Sequence, residues 1–380
     1  MTIYILLFVY CLFSGLIFFN VNNRASTQLY VIVSALLLGL FSGLRYHTGW
    51  DWEAYDYFIE HLPGTLSGDI WSNNVFGYEP LFVIIVSILN EIGLSAYLFF
   101  SISTIFLTTF SAHRYLGKYI SIFFIVYLFY GYFQNFSIVR QGIAAAIFLF
   151  SIRYIEQKKF YQYLIGILVA SLFHISSLLL LPIYYIVIKL RMSRTAIFVY
   201  ITATVIFVAF PVLSYLNDLT HVFSIFGDKV NEYVSNKDLT YKTGFSFKYL
   251  ELLLLVLIYQ SNKFFNIGLS TFGKYYNIFG MIVVLQLGVY SFLNDFSIIF
   301  ERISSFFEVS QGIFIIMNIA LLKGNVSKSL IIVVLAVLIF VRYERLFYHS
   351  NNYIRLGNDM GHLERFENYC SVLNKKECGR

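Results

Sequence analysis

"IVRQGIAAAIFLFSIRYIEQKKFYQYLIGILVASLFHISSLLLLPIYYIVIKLRMSR" (residues 138–194) holds three apolar runs, 138–155, 161–173 and 175–190, with almost nothing polar inside them. Apart from Arg140 and Arg153, its Lys and Arg residues gather in EQKK (156–159) and KLRMSR (189–194), two runs apart. Apolar runs near bilayer length, with basic residues on every second turn, are the pattern of membrane-spanning helices whose cytoplasmic loops carry positive charge. The same rhythm continues in both directions. HRYLGK (113–118), Lys263 and Lys274 extend the cytoplasmic set.

The chain has 380 residues, of which 58% are hydrophobic and 13% charged, against roughly 25% charged in a soluble domain. Mean hydropathy is +0.71. Four prolines and continuous rather than alternating apolar runs argue against a β-barrel. The fold class is therefore all-α, a polytopic transmembrane helical bundle of about twelve to thirteen spans. Ile3–Phe19 reads as a retained span, because no basic residue precedes it and no small-residue cleavage site follows. A single transmembrane domain is expected over 1–346, with extracytoplasmic loops at 45–79 and 216–247 and a polar, extracytoplasmic tail at 347–380. The stretch 80–111 is too long for one ordinary span, and Asn90–Ser95 can hold either a break or a short cytoplasmic turn; two crossings would set the loop 45–79 and the later loops on opposite faces, whereas the favoured single net crossing puts every unusual polar group on one face. Three cysteines without a CxxC or Cys/His cluster give no metal site and no cofactor, and the net charge of +6 says little about nucleic acid. In an oxidising compartment Cys370 and Cys378 can pair.

Against this apolar background, charged groups at span ends are candidate site residues. "GLRYHTGWDWEAYDYF" (43–58) supplies Arg45, Asp51 and Tyr55, with Gly49 letting the chain turn before Asp51. Its aromatics also suit an interfacial anchor helix. Arg140 and Gln141 open a span on the outer face, where a guanidinium beside free helix N–H groups can hold phosphate. His174 lies among apolar residues, as a structural histidine would, yet neutral imidazole is the side chain best poised as a base near pH 7. Glu301 and Arg302 open a later span, either pairing locally or facing the same compartment as Arg140. Glu79 precedes Pro80 at a helix start, which fits capping as well as substrate contact.

"GLRYHTGWDWEAY", "GYEPLF" (77–82), the block from Val139 through His174 to Pro182, and "ERISSFF" (301–307) together resemble the EpsG family of bacterial exopolysaccharide and O-antigen polymerases, the Wzy-like proteins. Phe306 and Phe307 stand where the family usually has Tyr-Phe. The resemblance spans about residues 40–310. It implies a GT-C-like membrane glycosyltransferase in the bacterial inner membrane, which polymerises undecaprenyl-diphosphate-linked repeat units at the periplasmic face and releases undecaprenyl diphosphate. Lipid-linked oligosaccharides, a chain-length regulator and a flippase are the partners this implies; nucleic acid is not.

The residues suit that chemistry. Arg45, Arg140 and Arg302 can stabilise a departing diphosphate without a metal. Asp51 or His174 can take the acceptor's proton, with Asp51 favoured as a hydroxyl-orienting acceptor and His174 as the base. Tyr55, Glu79, Gln141 and Glu301 are expected to contact substrate. A glycan ligase remains an alternative within the same chemistry. A flippase or exporter of lipid-linked oligosaccharide is another, though it should show repeat symmetry and a midplane site. A multispan acyltransferase would pair His with Arg too, but no acyl-donor motif is evident.

Overall fold

The apolar runs form helices whose ends are set by local chemistry. The computed structural model describes residues 2–21, 23–49, 51–65, 69–190, 193–210, 243–294, 297–348 and 369–373. The first half comprises α1 (Thr2–Asn20), α2 (Arg24–Gly43), α3 (Trp52–His61), α4 (Pro80–Glu91), α5 (Ala96–Leu116), α6 (Phe123–Tyr127) and α7 (Val139–Glu156). There follow α8 (Phe160–Ser171), α9 (Leu181–Lys189), α10 (Arg194–Ala209), α11 (Phe247–Phe264), α12 (Ile267–Phe272), α13 (Lys274–Phe292), α14 (Ser297–Leu321) and α15 (Asn325–Tyr348). Asn23, Ser95, Ser193 and Ser246 cap α2, α5, α10 and α11 by accepting a backbone N–H three residues on. The expected loop 216–247 lies outside the described residues except for 243–247, as does most of the tail.

Among the described residues, five helices are long and apolar enough to cross a membrane: Ile3–Asn20, Arg24–Gly43, Ala96–Tyr132 as one run, Lys274–Phe292 and Ile299–Leu321. Five more apolar helices have only 10–17 residues. The expectation of twelve to thirteen full spans is thus corrected. Hydropathy alone does not see where a run is cut. The run 175–190 is divided into a 3₁₀ turn at Ile175–Leu180 and α9 with Pro182 in its first turn, and the run before it forms only the 12-residue α8. At 1.5 Å per residue, α8 is about 18 Å long, well short of a hydrocarbon core of about 30 Å.

The stretch 80–111 does break within Asn90–Ser95, and the parts around the break fix the level of the site. Glycines let α2 and α5 approach closely: a Cβ on Gly43 would lie 2.8 Å from Leu98 Cα, and one on Gly39 3.1 Å from the Ile102 side chain. The start of α5 therefore lies beside the end of α2. Residues 45–95 make an excursion on one face of the bundle, in which Asn90 Nδ2 donates to Ile59 O and Leu62 O at 2.7 and 2.8 Å. After Gly117 the chain turns back alongside α2, with Tyr30 donating to Ser121 O and Tyr132 to Leu38 O. This return is interrupted at Tyr130 (φ −95°, ψ 37°) and Gly131 (φ 152°), so the expected span 119–134 is a broken helix.

The remaining helices surround the α13–α14 pair, whose Phe279, Val283, Leu287, Phe314 and Met317 are wholly buried. On the outside, Leu6, Phe13 and Ile17 of α1 are about 60% exposed, a face suited to lipid. Outside the helices, β1 (Arg45–Tyr46) pairs antiparallel with β2 (Cys370–Ser371). Tyr369 stacks on Phe41 with 4.2 Å between ring centroids, and Val372 N–H donates to Leu44 O at 2.9 Å. The tail read from sequence as merely polar is therefore docked, in its described part, against the start of the excursion.

Candidate functional site

The ends of five helices meet around Glu79. It directly precedes α4, but its carboxylate does not cap that helix. The carboxylate instead pairs with Arg140 at the start of α7, accepts the Ile175 N–H at 3.0 Å, and lies 3.3 Å from His174 Nδ1 in the turn after α8. The tether of that turn is a backbone bond, Leu81 N–H to Leu172 O at 3.0 Å. Arg140 sits 3.9 Å from the Tyr78 ring centroid, and its Nε donates to Tyr55 Oη at 3.3 Å. Tyr55 is buried on α3, one turn beyond Asp51. The turn into α3 depends on Gly49: its φ is 108°, and a Cβ there would lie 2.2 Å from Phe136 O, so no other residue fits.

The fifth helix is α14. Arg302 Nη2 lies 3.7 Å from Asp51 Oδ2, with both side chains more than a third exposed. An exposed pair at that distance contributes little and opens readily to a ligand. Gln141 Nε2 donates to Arg302 O and Ser305 Oγ, joining α7 to α14. Phe306 lies flat against the His174 ring at 6.2 Å. The structure thus brings Asp51, Tyr55, Glu79, Arg140, His174 and Arg302 together from positions spread over most of the chain.

Four expected substrate contacts are placed otherwise. Arg45 is 1% exposed; it donates to Ser42 O, Ser101 Oγ and Phe136 O and lies 4.8 Å from the Tyr97 ring centroid. It braces the excursion from inside and offers no surface to a diphosphate. Gln141, also 1% exposed, is a helix-joining residue. Glu79 is the ionic hub rather than a free contact. Glu301 is exposed near the start of α14. Tyr78, which flanks Arg140, went unmarked in the sequence, and Phe306, beside His174, stood out there only as a departure from the family's usual Tyr. An aromatic beside each charged motif residue is the signal that points to them.

The electrostatics give the two ionisable groups opposite tasks. Burial alone would push Glu79 up, but the His174 contact and the Arg140 guanidinium outweigh it and hold the carboxyl down at about 2. His174 is pushed below the ordinary histidine range by burial, helped by Arg140 and Arg302 and only partly offset by Glu79. At neutral pH the carboxylate is ionised and the imidazole neutral. An ionised Glu79 facing Nδ1 selects the tautomer with the proton there, leaving Nε2 as a lone-pair acceptor.

The depressed Glu79 value carries a stability consequence. A carboxyl near 4.5 when unfolded and about 2 when folded stabilises the fold by about 3 kcal/mol above pH 5, and this is lost as pH falls toward 2. Thermal unfolding in detergent from pH 7 to pH 3 should therefore show a steeper acid loss for the native chain than for Glu79→Gln. Parallel curves would contradict the ionic hub.

Among the described residues no group of three or more His, Cys, Asp or Glu side chains could hold a metal ion. The cluster sets two arginines near a neutral imidazole, with an aspartate beside the second of them. A family model described as the EpsG family matches residues 28–358. No curated protein and no solved structure matches significantly.

Proposed function

The chain belongs to the EpsG family, and from that premise we propose that it is a membrane glycosyltransferase joining undecaprenyl-diphosphate-linked oligosaccharide units into an exopolysaccharide or O-antigen at the outer face of the bacterial inner membrane. The observation that carries this reading is the carboxylate-bound, neutral His174 set beside Arg140 and Arg302.

In the proposed step an acceptor sugar hydroxyl attacks the anomeric carbon of the lipid-linked donor. The new bond joins that oxygen to the anomeric carbon; the bond from the carbon to the diphosphate oxygen breaks, and its electron pair leaves with the diphosphate. His174 Nε2 takes the hydroxyl proton, and Asp51 orients the same hydroxyl. Glu79 engages only part of the Arg140 fork, and Arg302 is loosely held by Asp51. Both cations can therefore turn donors toward the developing phosphate charge.

Two features support an outward-facing site. Cys370, whose strand lies against Arg45–Tyr46, is disulfide-bonded, and such bonds persist in oxidising compartments. The basic loops meet at the opposite end of the bundle, where Lys274 lies 3.5 Å from Glu156 and Arg114 donates to Tyr275, as cytoplasmic loops should. Purified protein in vesicles with lipid-linked repeat units should yield a ladder of lengthened glycans and free lipid diphosphate. Transport of single units across the vesicle without a ladder would instead identify a flippase.

A further inference from the structure

Two buried glutamines grip α14 from opposite sides at the level of Arg302. Gln141 of α7 donates through Nε2 to Arg302 O and to Ser305 Oγ, and Ser305 Oγ donates in turn to Arg302 O at 2.8 Å. From the other side, Gln286 of α13 donates through Nε2 to Ser304 Oγ at 3.1 Å. At about 100° per residue, Ser305 lies about 60° around the helix from Arg302, and Ser304 about 160° from it, nearly opposite. Gln141 and Gln286 are 1% and 0% exposed, and both serines are buried. Among the described residues neither Gln141 Oε1 nor Gln286 Oε1 has a hydrogen-bond partner. An unpaired carbonyl at such depth lowers stability, and a leucine of similar size would avoid it. What the amides add that leucine cannot is direction, through bonds to one backbone carbonyl and two neighbouring hydroxyls.

Shape alone does not fix α14 here. Where α7 faces it the side chains are small, and a cavity lined by Thr108, Gly142, Ala145, Ala146, Ser305 and Val309 lies along the contact. Interdigitated side chains normally key one helix against another, so small residues and open space leave a helix room to rotate. That rotation matters to the site twice. Arg302 meets Asp51 from α14, and Phe306, one turn further on, lies against the His174 ring. A turn of α14 by about 20° would carry a side-chain tip about 6 Å from the axis through about 2 Å. Misplacement by about 1 Å can slow a reaction about 10²-fold.

We propose that Gln286 and Gln141, acting through Ser304 and Ser305, are positioning residues that set the rotation of α14 and so aim the Arg302 guanidinium at the diphosphate. This rests on the place given to Arg302 in the polymerase reading above. The probe is inorganic diphosphate, titrated calorimetrically into full-length protein in detergent, with the unfolding temperature measured on the same samples. Gln286→Leu/Ser304→Ala replaces both partners of the α13 contact by apolar groups, an exchange close to neutral for stability. The native chain should bind saturably and Arg302→Ala about tenfold more weakly. Gln286→Leu/Ser304→Ala should also bind about tenfold more weakly, at a near-native unfolding temperature. Adding Arg302→Ala to that variant should weaken binding no further than Arg302→Ala alone, because the clamp acts only through the guanidinium. Gln141→Leu/Ser305→Ala should repeat the pattern from the α7 side.

Native affinity in both clamp variants would overturn the proposal, even with a lowered unfolding temperature, which is the mark of a mere brace. So would losses that multiply to about a hundredfold in the triple variant, since the clamp would then act elsewhere. A native chain that binds no diphosphate would remove the cation site that the clamp is meant to aim, and the proposal with it. Ladder formation keeps the two readings apart. If the native chain builds a ladder while the clamp variants bind diphosphate normally, the clamp falls and the polymerase reading stands. If binding follows the clamp through Arg302 but no ladder forms, the polymerase reading fails and the clamp stands.

Discussion

Arg140→Ala should slow chain extension by about 10²–10³-fold, the usual cost of removing one preorganised donor from a developing anion. Long glycans should give way to single-repeat material. The change also strands Glu79, whose side chain is only 12% exposed, and an unpaired buried carboxylate destabilises a fold by itself. The double variant Arg140→Ala/Glu79→Gln separates the two effects. Neutralising Glu79 should restore the unfolding temperature but not the ladder, because the lost function is phosphate contact rather than folding. Arg140→Lys should recover charge without the planar fork, and with it only part of the rate. A full-length ladder from Arg140→Ala would refute the assigned role.

His174→Ala should lower the rate by about 10²–10⁴-fold, the span typical of losing a general base. The pH profile provides a second and more specific readout. Since burial holds His174 below the ordinary histidine range, the acid limb of the native rate should lie below that range too. Glu79 is the group that raises His174, so Glu79→Gln should move the limb still lower while reducing the rate through loss of tautomer control. His174→Gln should abolish the limb altogether. An acid limb unchanged in His174→Gln would assign the base to Asp51 instead.

The sequence reading singled out residues of the cluster because membrane chains make polar residues conspicuous. Arg140, His174, Asp51 and Arg302 each stood at the end of an apolar run, and span alternation put them on one face. The break at 90–95 and the turn at Gly49 were equally legible, since both are forced by residue type. Direction was not. Arg45 also ends a span, and nothing in its neighbours tells whether the guanidinium points outward or, as it does, into a shell of carbonyls and rings. Glu79 before Pro80 looks like a cap until the loop holding His174 is placed beside it. The span count failed for a related reason: mean hydropathy is blind to a 3₁₀ turn or a broken helix inside an apolar run. Gln286 was overlooked because it lies in a window whose average is apolar, although a polar side chain at such depth is itself a functional signal.

Strand β2 completes its pairing with β1 only when Cys370 and Ser371, more than 300 residues later in the chain, have left the ribosome. Until then the backbone around Arg45 and Tyr46 has lost its partner strand, and the loop leading to Asp51 is braced from one side alone. Insertion of the early helices during translation can therefore precede assembly of a working centre. A nascent polypeptide already in the membrane therefore lacks a fully braced centre until Cys370–Ser371 has been made.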